Sequence, residues 1–197
     1  MRAKWVDDGE TNQVTAPLSL IVTAFAPVSD ASSTLTPQLR TDQGDTDLWL
    51  IDLGQGRNRL GGSALAYVYG ELGHDAPDVD DADALKNFFA AIQTMNRDGI
   101  LLAYHDRSDG GLWATLAEMA FSGRTGIDVD IAELGPDPVR TLFSEELGAV
   151  VQVAADRVEE VVGSFAGGPL AGHVHVIGGL TSDDKMTIKN GDTELYQ

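Results

Sequence analysis

The sequence predicts an α/β (α+β) fold: a mixed β-sheet with helices packed against it. Three observations lead there. Apolar runs of strand length recur at residues 48–53, 100–104 and 147–153, as expected of strands buried on both faces. Stretches with apolar residues at helical spacing fall between those runs. Residues 126–131 instead alternate with period two, as a strand with one wet face does. Buried and half-wet strands interleaved with helices build a mixed sheet with helices laid on it.

Taken in order, residues 1–16 are polar and read as a lead-in to a single domain over 17–190. Residues 18–25 are nearly all apolar and predict a buried strand. Residues 29–46 collect Ser, Thr, Pro, Gly and Asp and predict a long loop with a short helical turn. The strand at 48–53 runs into a glycine-rich turn, 54–63. Leu65, Val68, Tyr69 and Leu72 then share one helical face. The clearest helix carries Leu85, Phe88, Phe89, Ile92 and Met95 on one stripe. Aspartates stand at its start, where the helix dipole favours them, and Gly99 ends it. The strand at 100–104 enters segment 105–111, and a helix with Leu112, Leu116, Met119 and Ala120 on one face follows. Beyond the strand at 147–153, Asp156 and Glu159 have capping-box spacing ahead of Val158, Val161, Val162 and Phe165. Residues 173–177 predict a strand, 186–188 a last edge strand, and the tail is polar. There is no repeat, no low-complexity tract, and no linker that divides the chain.

Composition narrows the function. The 197 residues hold 13 Lys plus Arg against 31 Asp plus Glu, a formal charge of −18. Such a field repels phosphate backbones and anionic lipid, so no nucleic-acid and no membrane partner is expected, while Mg2+ is favoured. Cysteine is absent, which excludes disulfides, thiolate zinc sites and a cysteine nucleophile within the chain. No apolar run approaches the ~20 residues that span a bilayer. The first residues show no apolar signal region, so a cytoplasmic protein is expected.

Three segments could carry chemistry, each with a plainer alternative. His105-Asp-Arg-Ser-Asp-Gly-Gly lies where a buried strand hands over to an amphipathic helix, the place where open α/β sheets hold ligands. Asp106 offers a hard oxygen suited to Mg2+. Ser108 offers a hydroxyl and an N–H to an anion near a helix start. Asp109 is the natural N-cap. Equally, the segment reads as a capped turn with a local ion pair. Leu60-Gly-Gly-Ser could cradle phosphate, but a sharp turn with Ser63 as N-cap explains it better. Glu145 and Glu146 could bind metal or a substrate amine, though adjacent acids more often cap a loop and stay solvated. Residues 75–83 read as a solvated acidic loop and helix start. His173 and His175 share a strand face but lack a third ligand, and read as surface or edge histidines.

Together these segments resemble the C-terminal domain of the AIR synthetase-related superfamily, more narrowly that of large, single-chain phosphoribosylformylglycinamidine synthase. The resemblance is carried by Ala16-Pro-Leu-Ser-Leu-Ile-Val, Leu35-Thr-Pro-Gln-Leu, Leu50-Ile-Asp-Leu-Gly-Gln-Gly with Leu60-Gly-Gly-Ser-Ala-Leu-Ala, Ala103-Tyr-His-Asp-Arg-Ser-Asp-Gly-Gly-Leu with Leu116-Ala-Glu-Met-Ala-Phe, and Phe143-Ser-Glu-Glu-Leu-Gly-Ala-Val. It implies an AIR synthetase C-terminal-type fold, distantly ferredoxin-like. It also implies an ATP-dependent carbon–nitrogen ligase of purine biosynthesis that takes ammonia from a glutaminase (glutamine amidotransferase) domain. That family activates the formamide oxygen of formylglycinamide ribonucleotide with ATP, and ammonia then displaces phosphate. The match assigns Asp106 to Mg2+ and Ser108 to nucleotide, with ADP or ATP as the ligand and no catalytic residue in this chain. In the large enzymes the corresponding nucleotide site is an auxiliary one.

The resemblance also implies a fragment, the C-terminal domain of the second synthetase half, inactive alone. One carboxylate and one hydroxyl cannot complete the octahedral oxygen shell of Mg2+. The remaining ligands would come from the preceding synthetase domains, and ammonia from the glutaminase domain. An apolar surface left by those neighbours invites self-association. Two alternatives stand: a sister domain of the AIR synthetase, selenophosphate synthetase or thiamine-phosphate kinase type, and a purely structural assembly module.

Overall fold

The computed structural model describes residues 2–15, 22–28 and 30–197. The chain divides into two compact units, one up to Ser32 and one from Ser33 to Gln197.

In the first unit, β1 (Arg2–Asp7) and β2 (Glu10–Thr15) form an antiparallel hairpin with Trp5 opposite Asn12. The polar lead-in is therefore a regular element. Its composition misleads because both faces of the hairpin stay open, with Trp5, Val6 and Val14 exposed. The strand expected over 18–25 lies, for residues 18–21, outside the described residues. Residues 22–25 form no strand, and Phe25 is exposed. A short 3-10 turn at Ala31–Ser33 lies in the loop expected over 29–46.

The second unit contains, in chain order, β3 (Thr46–Asp52), α1 (Ala64–Val68), α2 (Ala82–Arg97), β4 (Leu101–Asp106), α3 (Gly111–Gly123), β5 (Gly126–Asp130), α4 (Pro138–Phe143), β6 (Gly148–Ala154), α5 (Val158–Phe165), β7 (Val174–Thr181), β8 (Met186–Asn190) and β9 (Thr193–Tyr196). The sheet order is β4-β6-β3-β7-β5-β8-β9. Every pairing is antiparallel except that of β5 with β8. The mixed sheet with packed helices is thus as expected.

Alternation along the central strands sorts the core into two layers. Leu48, Leu50 and Val150 join Leu112, Leu116 and Met119 of α3 and Leu142 of α4 on one face. Trp49, Ile51, Val151 and Val153 join Ala84, Ile92 and Met95 of α2 and Val161 and Phe165 of α5 on the other. The free edge of β4 is covered by the loop after Ser33, where Tyr104 N–H donates to Thr36 O at 3.0 Å. Buried Gln152 holds that loop. Its oxygen accepts from Arg40 N–H at 2.8 Å, and its amide donates to Arg40 O and Thr46 Oγ1.

Four expectations need correction. The helix after Ser63 stops at Val68 because the chain reverses: Gly62 N–H reaches Leu72 O and Gly61 N–H reaches Asp75 O. Val68, Tyr69 and Leu72 are consequently exposed rather than a core stripe. In α2 the buried stripe is rotated toward Ala84, Ala91, Ile92 and Met95, whose alanines allow close approach to the sheet, and Phe89 is exposed. Asp156 and Glu159 form no capping box. A 3-10 turn at Ala155–Arg157 feeds α5, its N-cap Arg157 makes no side-chain cap bond, and Arg157 pairs with Glu160. Finally, the polar tail contains β9, so β8 is interior.

Leu116 is fully buried in the α3 layer, so Leu116→Ala should lower unfolding free energy by ~2–5 kcal/mol in denaturant titration. Phe89→Ala, at an exposed position, should change it by about 0.5 kcal/mol or less.

Candidate functional site

β4 ends at Asp106, and its ladder with β6 continues one step, Arg107 N–H donating to Gly148 O at 2.8 Å. Alternation then sends residue 107 inward. The Arg107 guanidinium is buried, donating to Asp52 Oδ1 at 2.5 Å, to Glu146 O at 2.6 Å and to Leu147 O at 3.0 Å. Asp52 in turn accepts from the N–H groups of Gly54 and Gly56. The ion pair that Arg107 makes is therefore long-range, joining β4 to the glycine-rich turn after β3.

The corner after Arg107 turns into α3 by way of Gly110, which is its N-cap, so Asp109 does not cap the helix. Gly111 has φ +67° and packs so closely that a Cβ would stand 2.6 Å from Ser144 O, leaving no room for a side chain. The expected solvated pair Glu145 and Glu146 is instead structural. Glu146 is fully buried and grips Arg59, accepting from its backbone N–H at 3.0 Å, Nε at 2.7 Å and a terminal nitrogen at 2.8 Å. Arg59 also meets Asp80, and these carboxylates, Glu146 foremost, raise its pKa further. Glu145 accepts from Gly110 N–H and Ala64 N–H, both at 2.8 Å, so one carboxylate ties the starts of α3 and α1. Ser63 caps α1 as expected, accepting from Ala66 N–H at 3.2 Å.

Around this corner lies a cleft of about 320 Å³. Leu53, Leu85, Phe88 and Leu147 give it an apolar wall, and Asp106, Ser108, Asp109 and Glu145 a polar one. The structure brings Asp106 and Ser108 to the same cleft. The Asp106 side chain is 63% exposed, and its ionic neighbour is His105 Nδ1 at 3.6 Å. Among the described residues no hydrogen bond engages its carboxylate or the Ser108 hydroxyl. Burial, with help from the Asp106 charge, pushes the phenol of Tyr104 in the same wall up to about 12. Larger cavities, of about 510 and 390 Å³, lie around Arg124 at the far end of α3 and are not reached by Asp106 or Ser108.

The oxygen donors of the cleft suit Mg2+ in kind, but not in number. Among the described residues no three His, Cys, Asp or Glu side chains converge as a metal-holding group. His173 and His175 add nothing here. His175 lies in β7, between β3 and β5, so it is not an edge histidine, while His173 precedes that strand; burial holds His175 below the ordinary value against the pull of Asp52. Arg107, Tyr104 and the apolar wall were not singled out from the sequence as site residues, whereas Glu145 was, as one of a pair of acids.

A mostly antiparallel sheet, helices on both faces and a carboxylate ending the edge strand at a cleft define the class of domain. Residues 47–190 match the C-terminal domain of AIR synthase related protein, and the chain belongs to that family. Its fold is similar to phosphoribosylformylglycinamidine synthase II from Thermotoga maritima, with TM-score 0.61 and 14% identity over 84% of this chain and 26% of that one. It is similar to T. maritima PurL complexed with ADP, with TM-score 0.60, 14% identity and the same coverages, 84% and 26%. It is also similar to E. coli HypE, a hydrogenase maturation protein, with TM-score 0.57 and 20% identity over 83% of this chain and 52% of that one. The chain thus spans about a quarter of the length of the T. maritima proteins. T. maritima PurL has also been solved with ATP and AMPPCP. Among the described residues no helix is long and apolar enough to cross a membrane.

Two outcomes follow. Glu146→Ala leaves the buried Arg59 with Asp80 as its remaining carboxylate and should cost ~3 kcal/mol in denaturant unfolding. Tyr104 has a folded-state pKa raised from 10.0 to about 12. The unfolded chain therefore loses that proton first, so its contribution to stability is complete below pH 10 and disappears as pH rises toward about 12. Phenol titration by NMR should show this late ionisation, and Asp106→Asn should lower it.

Proposed function

We propose that this chain is a domain of a cytoplasmic phosphoribosylformylglycinamidine synthase, the ATP- and glutamine-dependent ligase that makes formylglycinamidine ribonucleotide in purine biosynthesis. In this reading it supplies one wall of a Mg2+–nucleotide site and is inactive alone. The observation that carries the reading is the Asp106 carboxylate, exposed at the mouth of the cleft and engaged by no hydrogen bond among the described residues, with Ser108 two residues on. Family membership and the PurL-like fold support it.

The electrostatics of the cleft dictate how a nucleotide binds. Asp106, Asp109 and Glu145 line it, and the arginine in its wall, Arg107, is consumed by Asp52. A bare polyphosphate is repelled there, so it enters with a divalent cation. Bound Mg2+ supplies neutralisation of phosphate charge. Asp106 presents a metal ligand, Ser108 offers its hydroxyl and N–H to phosphate, and Leu53, Leu85 and Phe88 exclude water along one side. The remaining oxygen ligands come from preceding synthetase domains, and the glutaminase domain delivers ammonia. Exposed Tyr67, Val68, Tyr69 and Leu72 offer an apolar surface to such neighbours, or to a second copy.

The likeness to HypE supports a second reading, an ATP-binding sister domain of the same superfamily. The wording of residues 103–112 and 143–150 favours the amidine-forming enzyme.

The test is Asp106→Ala in the full-length parent enzyme, with co-purifying nucleotide measured by mass spectrometry. The reading predicts at least a tenfold loss of retained ADP, and the same loss in wild type stripped with chelator. Unchanged ADP together with unchanged thermal stability would overturn it.

A further inference from the structure

The C-terminal end of α3, the end away from the Asp106 cleft, borders a cavity of about 510 Å³. Small-molecule sites occupy ~300–1,000 Å³. Ala117, Ala120 and Phe121 line it at helical spacing, and Met186 at the start of β8 extends the apolar side. Phe121 is 67% exposed. Arg124 and Asp184 are the charged residues of the lining.

Backbone packing fixes these two residues relative to each other. The turn before β8 sits on Gly126, leaving no room for a Cβ beside Asp183 O, and Thr125 Oγ1 donates to Thr181 O at 3.2 Å. Asp183 is consumed within the turn, accepting from Thr181 Oγ1 and from Lys185 N–H. Asp184 is not. Among the described residues neither its carboxylate nor the Arg124 guanidinium makes a hydrogen bond or an ion pair, so two opposite charges line one cavity without meeting. Arg124 also holds a left-handed φ of +52° and closes α3 by donating its N–H to Ala120 O and Phe121 O. Glycine takes that conformation without strain. What arginine adds there is its guanidinium.

A ligand for this cavity has to match an anchored cation, an anchored anion and an apolar wall. A simple anion is opposed by the formal charge of −18, and a simple cation by Arg124. A molecule that carries both charges and no net charge escapes both penalties. The carbonyl end of α3 favours a positive group, as Asp184 does. A guanidinium takes a carboxylate through two parallel hydrogen bonds. We propose that this cavity binds a free α-amino acid with an apolar side chain. Its carboxylate meets Arg124, its ammonium meets Asp184, and its side chain lies against Ala120, Phe121 and Met186. The site shares no residue with the Asp106 cleft and does not depend on the nucleotide reading.

The experiment titrates the 197-residue chain with L-phenylalanine and follows backbone amides by NMR. Saturable shifts are expected at residues 123–126 and 183–186, with a Kd on the order of 1 mM for so small a ligand. N-acetylphenylalanine, which lacks the ammonium, and phenylalanine amide, which lacks the carboxylate, should each bind at least tenfold more weakly. Arg124→Gly relieves the left-handed backbone, so it should fold with no loss of Tm while binding at least tenfold more weakly. Asp184→Asn should lose as much, and Arg97→Ala, at an exposed arginine ending α2, should bind as wild type. Wild-type affinity in Arg124→Gly or Asp184→Asn, equal binding of either analogue, weakened binding in Arg97→Ala, or no saturable shift at about ten times the expected Kd overturns the proposal.

Discussion

The buried pair between Arg107 and Asp52 organises the site end of this fold. Its partners lie 55 residues apart, one at the end of β4 and one at the end of β3, with β6 between them in the sheet. Because Arg107 is drawn inward, its neighbours on either side, Asp106 and Ser108, must turn outward to the cleft. Asp52 spends its remaining capacity on the amides of Gly54 and Gly56, so the same pair shapes the glycine-rich turn after β3. Taking two charges out of water is costly. It is tolerated here because each has several hydrogen bonds, to backbone as well as to each other. The second buried pair, Arg59 with Glu146, repeats the device one turn away.

These pairs explain why so acidic a chain presents an acidic cleft. Its well-buried arginines are consumed internally, at positions where they hold loops. Glu145 meanwhile sits where backbone N–H groups of two helix starts converge, a place that attracts anions. With that position filled by a side chain, a phosphate approaching the cleft meets Asp106 and Ser108 instead. In the proposed Mg2+–nucleotide reading, a cation held at Asp106 accompanies it.

Much of this was legible in the sequence where the signal is local. The strand-to-helix handover at 105–111 is visible from Leu101 to Leu116, because the periodicity changes there from strand to helix. Ser63 as a cap is visible from its own neighbours. The roles of Arg107 and Glu146 were not, because each depends on a residue that only the sheet brings near. In the string, Glu145 and Glu146 look like a solvated pair; the fold sends one to Arg59 and the other to Gly110 and Ala64. The hairpin at 2–15 and the strand at 193–196 escaped because polar strands exposed on both faces carry no burial alternation. The apolar spacing of Leu65 to Leu72 was real, but it marks an exposed surface rather than a core.

The account depends on Arg107 and Asp52 acting together to aim Asp106 and Ser108. Amide hydrogen exchange of Asp52→Asn against wild type tests this most directly. The account predicts lost protection in two patches at once, at Gly54 and Gly56 and at Arg107 through Gly111, while Leu48–Ile51 of β3 stays protected. Uniform loss across the whole sheet, or unchanged protection at Arg107 through Gly111, would contradict it.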